Sequence, residues 1–499
     1  MTLRSAVRMS GLLALGLAGA IGASHRGATA HHIANVSGEH QLPVPPSGHD
    51  AAEGLVLGPF AAESVVSGAR CPSGAPVRQY DIVALAVDIT LNRYGDHDPQ
   101  GRMYALAGHV QEVRAAARRG ADGVSLGLQG DVIQPLVLRV LQGECLRVHL
   151  TNQLADEPAS FHLHASSLVV ARDASPAVAA NPAALAAPGA SVTYEWMVPA
   201  SEPEGTHVFH SHGNERVQSE HGLFGAVIVE PAGSAWADPR TGTTDTVGWD
   251  AVVRPPGAAA FREFVLFYHE IGDEDFRVKD VNGHDLPQVD PTTSAYRPGS
   301  RALNYRSEPF YNRLSLAQQQ TGRVDESLAY SSYAFGDPAT PIERSYIGDP
   351  VKERILNAGG EVFHVHHVHG GSVRWRRQPG AGPTGFGAGL DKHPSLLPGP
   401  SERTDSQTIG PSETFDVEHE CSAGGCQQGA GDYLIHCHIA HHYFAGMWGI
   451  WRVYDTLQDG RVSTDALPPL PELPDRVGST VAAVTSDALS PAGYARAVA

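Results

Sequence analysis

Short runs of Val, Ile, Leu, Tyr and Phe, broken by Gly, Pro, Asp and Asn, dominate this chain, while apolar residues at helical spacing are scarce. The clearest runs are YDIVALAVDITL (80–91), QPLVLRVLQGECLRVHLTN (134–152), GLFGAVIVE (222–230), REFVLFYHEI (262–271) and GMWGIWRVY (446–454). β-branched and aromatic side chains pack well on a pleated surface, and the residues between the runs favour turns, so the pattern predicts strands. Many short strands with few helices predict an all-β fold of the sandwich type.

The runs fall into two copies of one arrangement. RVHLTNQLADEPASFHLHASS is followed by GTHVFHSHGNERVQSEHGLFGAVIVE, and KERILNAGGEVFHVHHVHGGS is followed by YLIHCHIAHHYFAGMWGIWRVY. Each copy reads as a strand, an H-x-H pair, a gap, then a second H-x-H pair and a glycine-bearing strand. Two homologous β-sandwiches are the simplest account. The expected layout is a leader over 1–30, an extension over 31–75, a first domain over 76–233, a linker over 234–260, a second domain over 261–456 and an extension over 457–499. Within the second domain, about 272–350 reads as an irregular acidic insertion. The linker is expected from its Ala, Gly, Pro and Thr content, including Pro255-Pro256-Gly257.

At 499 residues the chain has room for several domains with their own cores. Its formal charge of −18 argues against nucleic acid or an anionic membrane surface as partner. Arg4 and Arg8 precede a small-residue apolar run from Gly11 to Ala23, and Ala28-Thr29-Ala30 offers a cleavage site. Together they predict a Sec-type leader and a secreted or periplasmic protein. Five cysteines then divide as four plus one. Cys421 and Cys426 are close enough for a local disulfide; Cys71 and Cys145 would form a second pair, although spacing alone does not set the connectivity. Cys437 is left over, and in an oxidising compartment ligation is the usual alternative to pairing.

Four H-x-H pairs carry the chemistry: His162/His164, His210/His212, His367/His369 and His436/His438. Residues two apart on a strand face the same way, so each pair aims two imidazoles into one space. Imidazole suits copper and zinc. Cys437 sits between His436 and His438, so on a strand its sulfur faces away from both. His364 lies three residues before His367 and faces away from that pair too. Cys437 and His364 can therefore share one side of a sheet while the paired histidines occupy the other. His442 and Met447 follow in the next loop. Two imidazoles, a thiolate and a weak thioether form the blue-copper ligand set. The further histidines His366 and His441 are expected to be solvated or satisfied in the core.

These segments, above all HCHIAHHYFAGM (436–447), resemble the copper motifs of the multicopper oxidase family, over roughly residues 76–456. The resemblance implies two cupredoxin-like Greek-key β-sandwiches. It implies a type 1 copper on His364, Cys437, His442 and Met447 and a type 2 copper on His162 and His367. It also implies a type 3 pair on His164, His210, His212, His369, His436 and His438, so copper would be the cofactor at four ions per chain. The implied reaction draws single electrons from a small-molecule or metal-ion donor and reduces dioxygen to water, with Cys437, His436 and His438 as the path between sites. Two-domain relatives complete the cluster between neighbouring copies of a homotrimer, and the same is expected here.

In the first copy Ala159, Ser211, Gln218 and Leu223 stand where His364, Cys437, His442 and Met447 stand in the second, so one type 1 site per chain is expected. The sequence departs from the motifs at Ala165, at Val365 and after the H-C-H, where Ala440, His441 and Tyr443 provide no acid. Proton supply is thereby left unassigned, with Glu215 or Glu220 the residues to check. Two further functional classes compete: a copper nitrite reductase-like enzyme and a non-catalytic copper-binding protein.

Overall fold

The computed structural model describes residues 71–478 apart from 126–127, 129–131, 166–168, 173–183, 370–373, 379–404 and 461–466. The expected leader, and nearly all of the N-terminal extension, lie outside the described residues.

Strands dominate, and they form two β-sandwiches. In the first, one sheet runs in the order Arg102–Leu106, Val77–Ala86, Cys145–Asn152, Ser191–Met197 and Val169–Arg172. The facing sheet runs Leu136–Leu141, Phe224–Glu230, Gly205–His210 and His162–Leu163. Ile82, Val148 and Trp196 from one sheet meet Leu138, Phe209 and Val229 from the other in a single apolar cluster. Phe161 and Phe209 stack at its centre with ring centroids 4.2 Å apart.

The second sandwich repeats this plan. Phe261–Glu270 and Val351–Asn357 pair in parallel, as Val77–Ala86 and Cys145–Asn152 do in the first. The order Ile342–Tyr346, Trp448–Tyr454, Gly431–Cys437, His364–Val368 matches the facing sheet of the first. Parallel neighbours in each sandwich require crossover connections rather than hairpins, as expected where sheets alternate along the chain. The first sandwich's second sheet lies against the second sandwich's first sheet. Val208, Phe224 and Ile228 share an apolar cluster with Phe264, Phe267, Ile355 and Phe415.

A buried polar network crosses that contact. Arg354 is fully buried. Its Nε donates to Glu263 at 3.0 Å, its Nη1 lies 3.0 Å from Asp416, and its Nη2 donates to Glu204 at 2.6 Å and Glu230 at 3.2 Å. Arg139 of the first sandwich reaches Glu263 of the second at 2.6 Å. Arg139 and Arg354 together draw the Glu263 carboxyl down to about 2, against burial, which alone would raise it.

Two expected boundaries change. Residues 234–260 are not a plain linker, because Ala235–Ala237 and Asp250–Arg254 are strands of the second sandwich. Ala251 and Val253 alternate with half-buried or exposed neighbours and bury with Trp236 and Phe261, a period-2 signal masked by the surrounding Gly, Pro and Thr. Nor is 272–350 wholly an insertion: Arg301–Leu303 and Ile342–Tyr346 are sandwich strands, and Phe310–Thr321 is a helix. Every residue of IERSY is buried, with Ser345 accepting from Trp451 Nε1 at 2.9 Å and Arg344 donating to Tyr454 at 2.9 Å. Polar residues satisfied inside the fold left no apolar run to read. Beyond the second sandwich, Leu470 and Leu473 bury against the fold, and Tyr346 donates to the Leu470 carbonyl at 2.5 Å.

Both disulfides are formed, Cys71–Cys145 and Cys421–Cys426, and Cys437 is a buried free thiol.

Candidate metal centres

Strand alternation sets the geometry of the second sandwich. His364, His366 and Val368 are buried, while Val365 and His367 between them are half-buried on the other face. The neighbouring strand pairs His367 with His436 and His366 with Cys437. Hence Cys437 and His364 point into the sandwich, and His367, His369, His436 and His438 point out of it.

On the inner side, Cys437 Sγ lies 3.4 Å from His442 Nδ1 and 3.9 Å from His364 Nδ1, and the two Nδ1 atoms are 3.2 Å apart. Three donors converge on a space fit for one ion. His442 is delivered by the short helix Ala440–Phe444 directly after the strand. Gly446 then turns the chain at a φ of +127°, where any Cβ would strike Ser307, and so brings Met447 back into line. Met447 is fully buried in the same cluster as Cys437, and its backbone accepts from Cys437 N at 3.1 Å. Burial pushes the Cys437 thiol up to about 11 and the His442 imidazole down to about 3. A neutral imidazole and a buried thiol that loses its proton to a metal are what ligation requires. Glu270 Oε1 stands 3.0 Å from His364 Nε2, behind the ligand atom. Burial alone would raise the Glu270 carboxyl, but His364 and Arg301 hold it at about 2. A carboxylate on the far nitrogen of a ligating histidine fixes the ring's orientation and tautomer.

On the outer side His369 Nε2 and His436 Nε2 are 3.0 Å apart, and the His367 ring lies 4.9 to 5.2 Å from His369, His438 and His436. The first sandwich builds the same set. His164 Nε2 and His210 Nε2 are 2.9 Å apart, and His162 packs against His212 at 4.4 Å. Burial first, then the neighbouring imidazoles, holds His210 well below the usual histidine range and takes His436 to about 3. Glu215 lies 3.6 Å from His212 and 3.8 Å from His210, whereas Glu220 lies near Arg216 instead. His367 Nδ1 also meets the Asp405 carbonyl at 2.6 Å, and the His436 ring lies 5.0 Å from that of Tyr443.

The two sandwiches share one strand register at their sites. His162 pairs with His210 as His367 pairs with His436. Leu223 N donates to Gln218 O at 2.8 Å as Met447 N donates to His442 O at 3.1 Å. Where the second sandwich has Cys437, Ser211 Oγ accepts from Ser160 N at 3.0 Å and Gly213 N at 3.1 Å, and Ala159 fills the place of His364. That position in the first sandwich is hydrogen-bonded core.

Sequence reasoning missed the partners of His366. This residue is fully buried, with Tyr268 OH 2.7 Å from its Nδ1 and Glu353 2.9 Å from its Nε2. Glu353 in turn meets His419 at 2.6 Å. A glutamate inside the apolar run REFVLFYHE, and another in VKERILN, were the available signals: a buried carboxylate needs a partner.

A family model described as Multicopper oxidase matches residues 109–234. A probable nitrite reductase-hydroxylamine oxidoreductase fusion protein of Kuenenia stuttgartiensis is 26% identical over 331 residues, 65% of this chain and 28% of that protein. L-ascorbate oxidase of Brassica rapa subsp. pekinensis is 31% identical over 111 residues, 22% of this chain and 18% of that protein. The chain thus spans under a third of the length of either relative. A solved multicopper oxidase structure is 20% identical, covering 77% of this chain and 91% of that one at a TM-score of 0.43. The family model falls within the first sandwich, and each sandwich carries histidine groups that could hold a metal ion, so the chain is similar to multicopper oxidases over that part of its length.

Proposed function

We propose that the chain is an exported copper oxidase of the laccase-like kind. It would take single electrons from a donor at a type 1 site on His364, Cys437, His442 and Met447. It would reduce dioxygen at a three-copper cluster, with His162 and His367 on the type 2 ion and His164, His210, His212, His369, His436 and His438 on the type 3 pair. The observation that carries this reading is the placement of Cys437: its sulfur converges with His364 and His442 while its two chain neighbours belong to the opposite set. Copper bound in these sites would supply the one-electron oxidation and the four-electron reduction of dioxygen to water. The chain's own part is to hold the donors. Glu270 orients His364, burial keeps the imidazoles neutral, and the Cys437 backbone joins the inner site to His436 and His438 without a break.

Each sandwich presents four histidines, half of a cluster set. The reading therefore includes a homotrimer in which the first sandwich of one copy faces the second sandwich of the next. The donor would be a phenol, an aromatic amine or a metal ion such as Fe(II), Mn(II) or Cu(I). A nitrite reductase-like activity is the second reading, favoured by the likeness to the Kuenenia protein. Copper content, visible and EPR spectra, oxygen uptake and nitrite consumption separate the two. About four coppers per chain, a blue band and donor-dependent oxygen uptake support the first reading. Nitrite turnover without oxygen uptake overturns it, and so does a Cys437→Ser protein that keeps both colour and oxygen consumption.

A further inference from the structure

Away from both histidine sets, a cavity of about 280 Å³ opens where the segment 238–250, the strand Phe261–Glu270 and the C-terminal segment 467–470 meet. Its walls are mostly apolar, with Trp249, Phe264 and Leu470 all at most 8% exposed. Three polar atoms on its lining have no hydrogen-bond partner among the described residues: Arg262 Nη1, Thr340 Oγ1 and Gln134 Oε1. Arg262 and Thr340 are 1% and 0% exposed, so water at the surface does not satisfy them. The rest of the Arg262 guanidinium is committed: Nε donates to Asp349 at 2.6 Å and Nη2 to the Pro471 carbonyl at 2.8 Å. Nη1 alone of its nitrogens has no partner among the described residues.

The local charge is opposite to that of the whole chain. Arg240, Arg262, Arg306 and Arg344 line the cavity against Asp238 and Asp250, in a protein whose formal charge is −18. Leaving a buried guanidinium nitrogen unpaired is costly, and a ligand that supplies an acceptor recovers that cost. One free Nη1 and one hydroxyl match in number the two oxygens of a carboxylate. Gln134 Oε1 asks for a ligand donor in turn. Trp249 and Phe264 pack on each other with ring centroids 5.9 Å apart and form one aromatic wall against which a single ring can lie, and the volume lies just below that of pockets for larger organic ligands.

We propose that this cavity is a binding site for a small aromatic carboxylate that carries a hydroxyl: the carboxylate on Arg262 and Thr340, the ring against Trp249 and Phe264, and the hydroxyl donating to Gln134. The site involves none of the histidines or cysteines of the metal centres, and its occupancy would tie the 467–470 segment to the second sandwich.

The probe is 4-hydroxybenzoate, titrated calorimetrically into the full chain and into its Cys437→Ser variant, so that oxidation at a copper site is not mistaken for binding. Saturable binding to both proteins is expected. Benzoate should bind roughly ten-fold more weakly, and 4-hydroxybenzyl alcohol weaker still, since each lacks one polar group. Thr340→Val should cost a similar factor, and Gln134→Leu should erase the preference for 4-hydroxybenzoate over benzoate. Either variant suffices if the other does not fold. No saturable binding, equal binding of the alcohol and the acid, or binding unchanged in a folded variant would each show the cavity to be water-filled and overturn the proposal.

Discussion

Replacing Arg354 by Met tests whether the two sandwiches are joined by charge as well as by apolar contact. Arg354 is fully buried among Glu204 and Glu230 of the first sandwich and Glu263 and Asp416 of the second, at 2.6 to 3.2 Å. At an effective dielectric of about 20, each such contact contributes roughly 5 kcal/mol before desolvation is subtracted. Breaking a buried pair from one side costs about 3–5 kcal/mol net, because the carboxylates stay behind. Not all four are stranded equally. Glu263 keeps Arg139, Glu204 keeps Lys352 and Asp416 keeps Thr206, while Glu230 loses its ion-pair partner. The expected loss at pH 7 is therefore about 4 kcal/mol, concentrated on Glu230, whose carboxyl burial already raises well above the ordinary range. Urea unfolding followed by tryptophan fluorescence measures it. Without Arg354 the stranded carboxylates titrate higher, so they take up protons as pH falls from 7 to 5 and the deficit should shrink. Adding Glu230→Gln to Arg354→Met should recover part of the loss. A deficit under about 1 kcal/mol at pH 7, or no recovery in the double variant, would mean that charge does not join the two sandwiches.

Glu270→Gln should leave the fold in place but weaken retention of copper at the inner site by about 10–100-fold, read by chelator competition against the blue band. Asp96 is buried and pushed up to about 6, with Asn92 and Asn312 donating to it at 2.8 and 2.6 Å. A raised carboxyl stabilises below its unfolded value near 3.8 and loses that contribution as pH rises through about 6. Asp96→Asn should accordingly gain on the wild type across that window, by at most about 3 kcal/mol in chemical denaturation. Opening Cys71–Cys145, which closes 74 residues, should cost about 4 kcal/mol, against about 2 for Cys421–Cys426, which closes 5; paired Cys→Ser variants in urea decide it.

Period-2 alternation made much of the fold, and the grouping of the candidate donors on opposite faces, legible in the sequence. The odd offset from His364 to His367 and the interposed Cys437 translate directly into opposite faces, because a strand offers no third direction. The correspondence of Ser211 with Cys437 and Gln218 with His442 was readable for the same reason: two copies of one pattern fold onto one register. What resisted reading was polar and buried. IERSY is a sandwich strand whose side chains are satisfied by distant partners such as Trp451 and Tyr454, whereas the two buried apolar residues of DAVVR are lost among Gly, Pro and Thr. Glu270 reaches His364, and Glu353 with His419 reaches His366, from strands that carry no motif, so only the folded sheet shows whom they face.

The cross-strand register that pairs His367 with His436 also limits how the protein can change. Sliding either strand by one position would send every side chain through to the other side, exchanging a thiol for an imidazole in both places at once. Neither centre can be tuned by shifting its backbone. Variation has to come from replacing side chains one at a time, and above all from those, like Glu270, that lean on a ligand from behind.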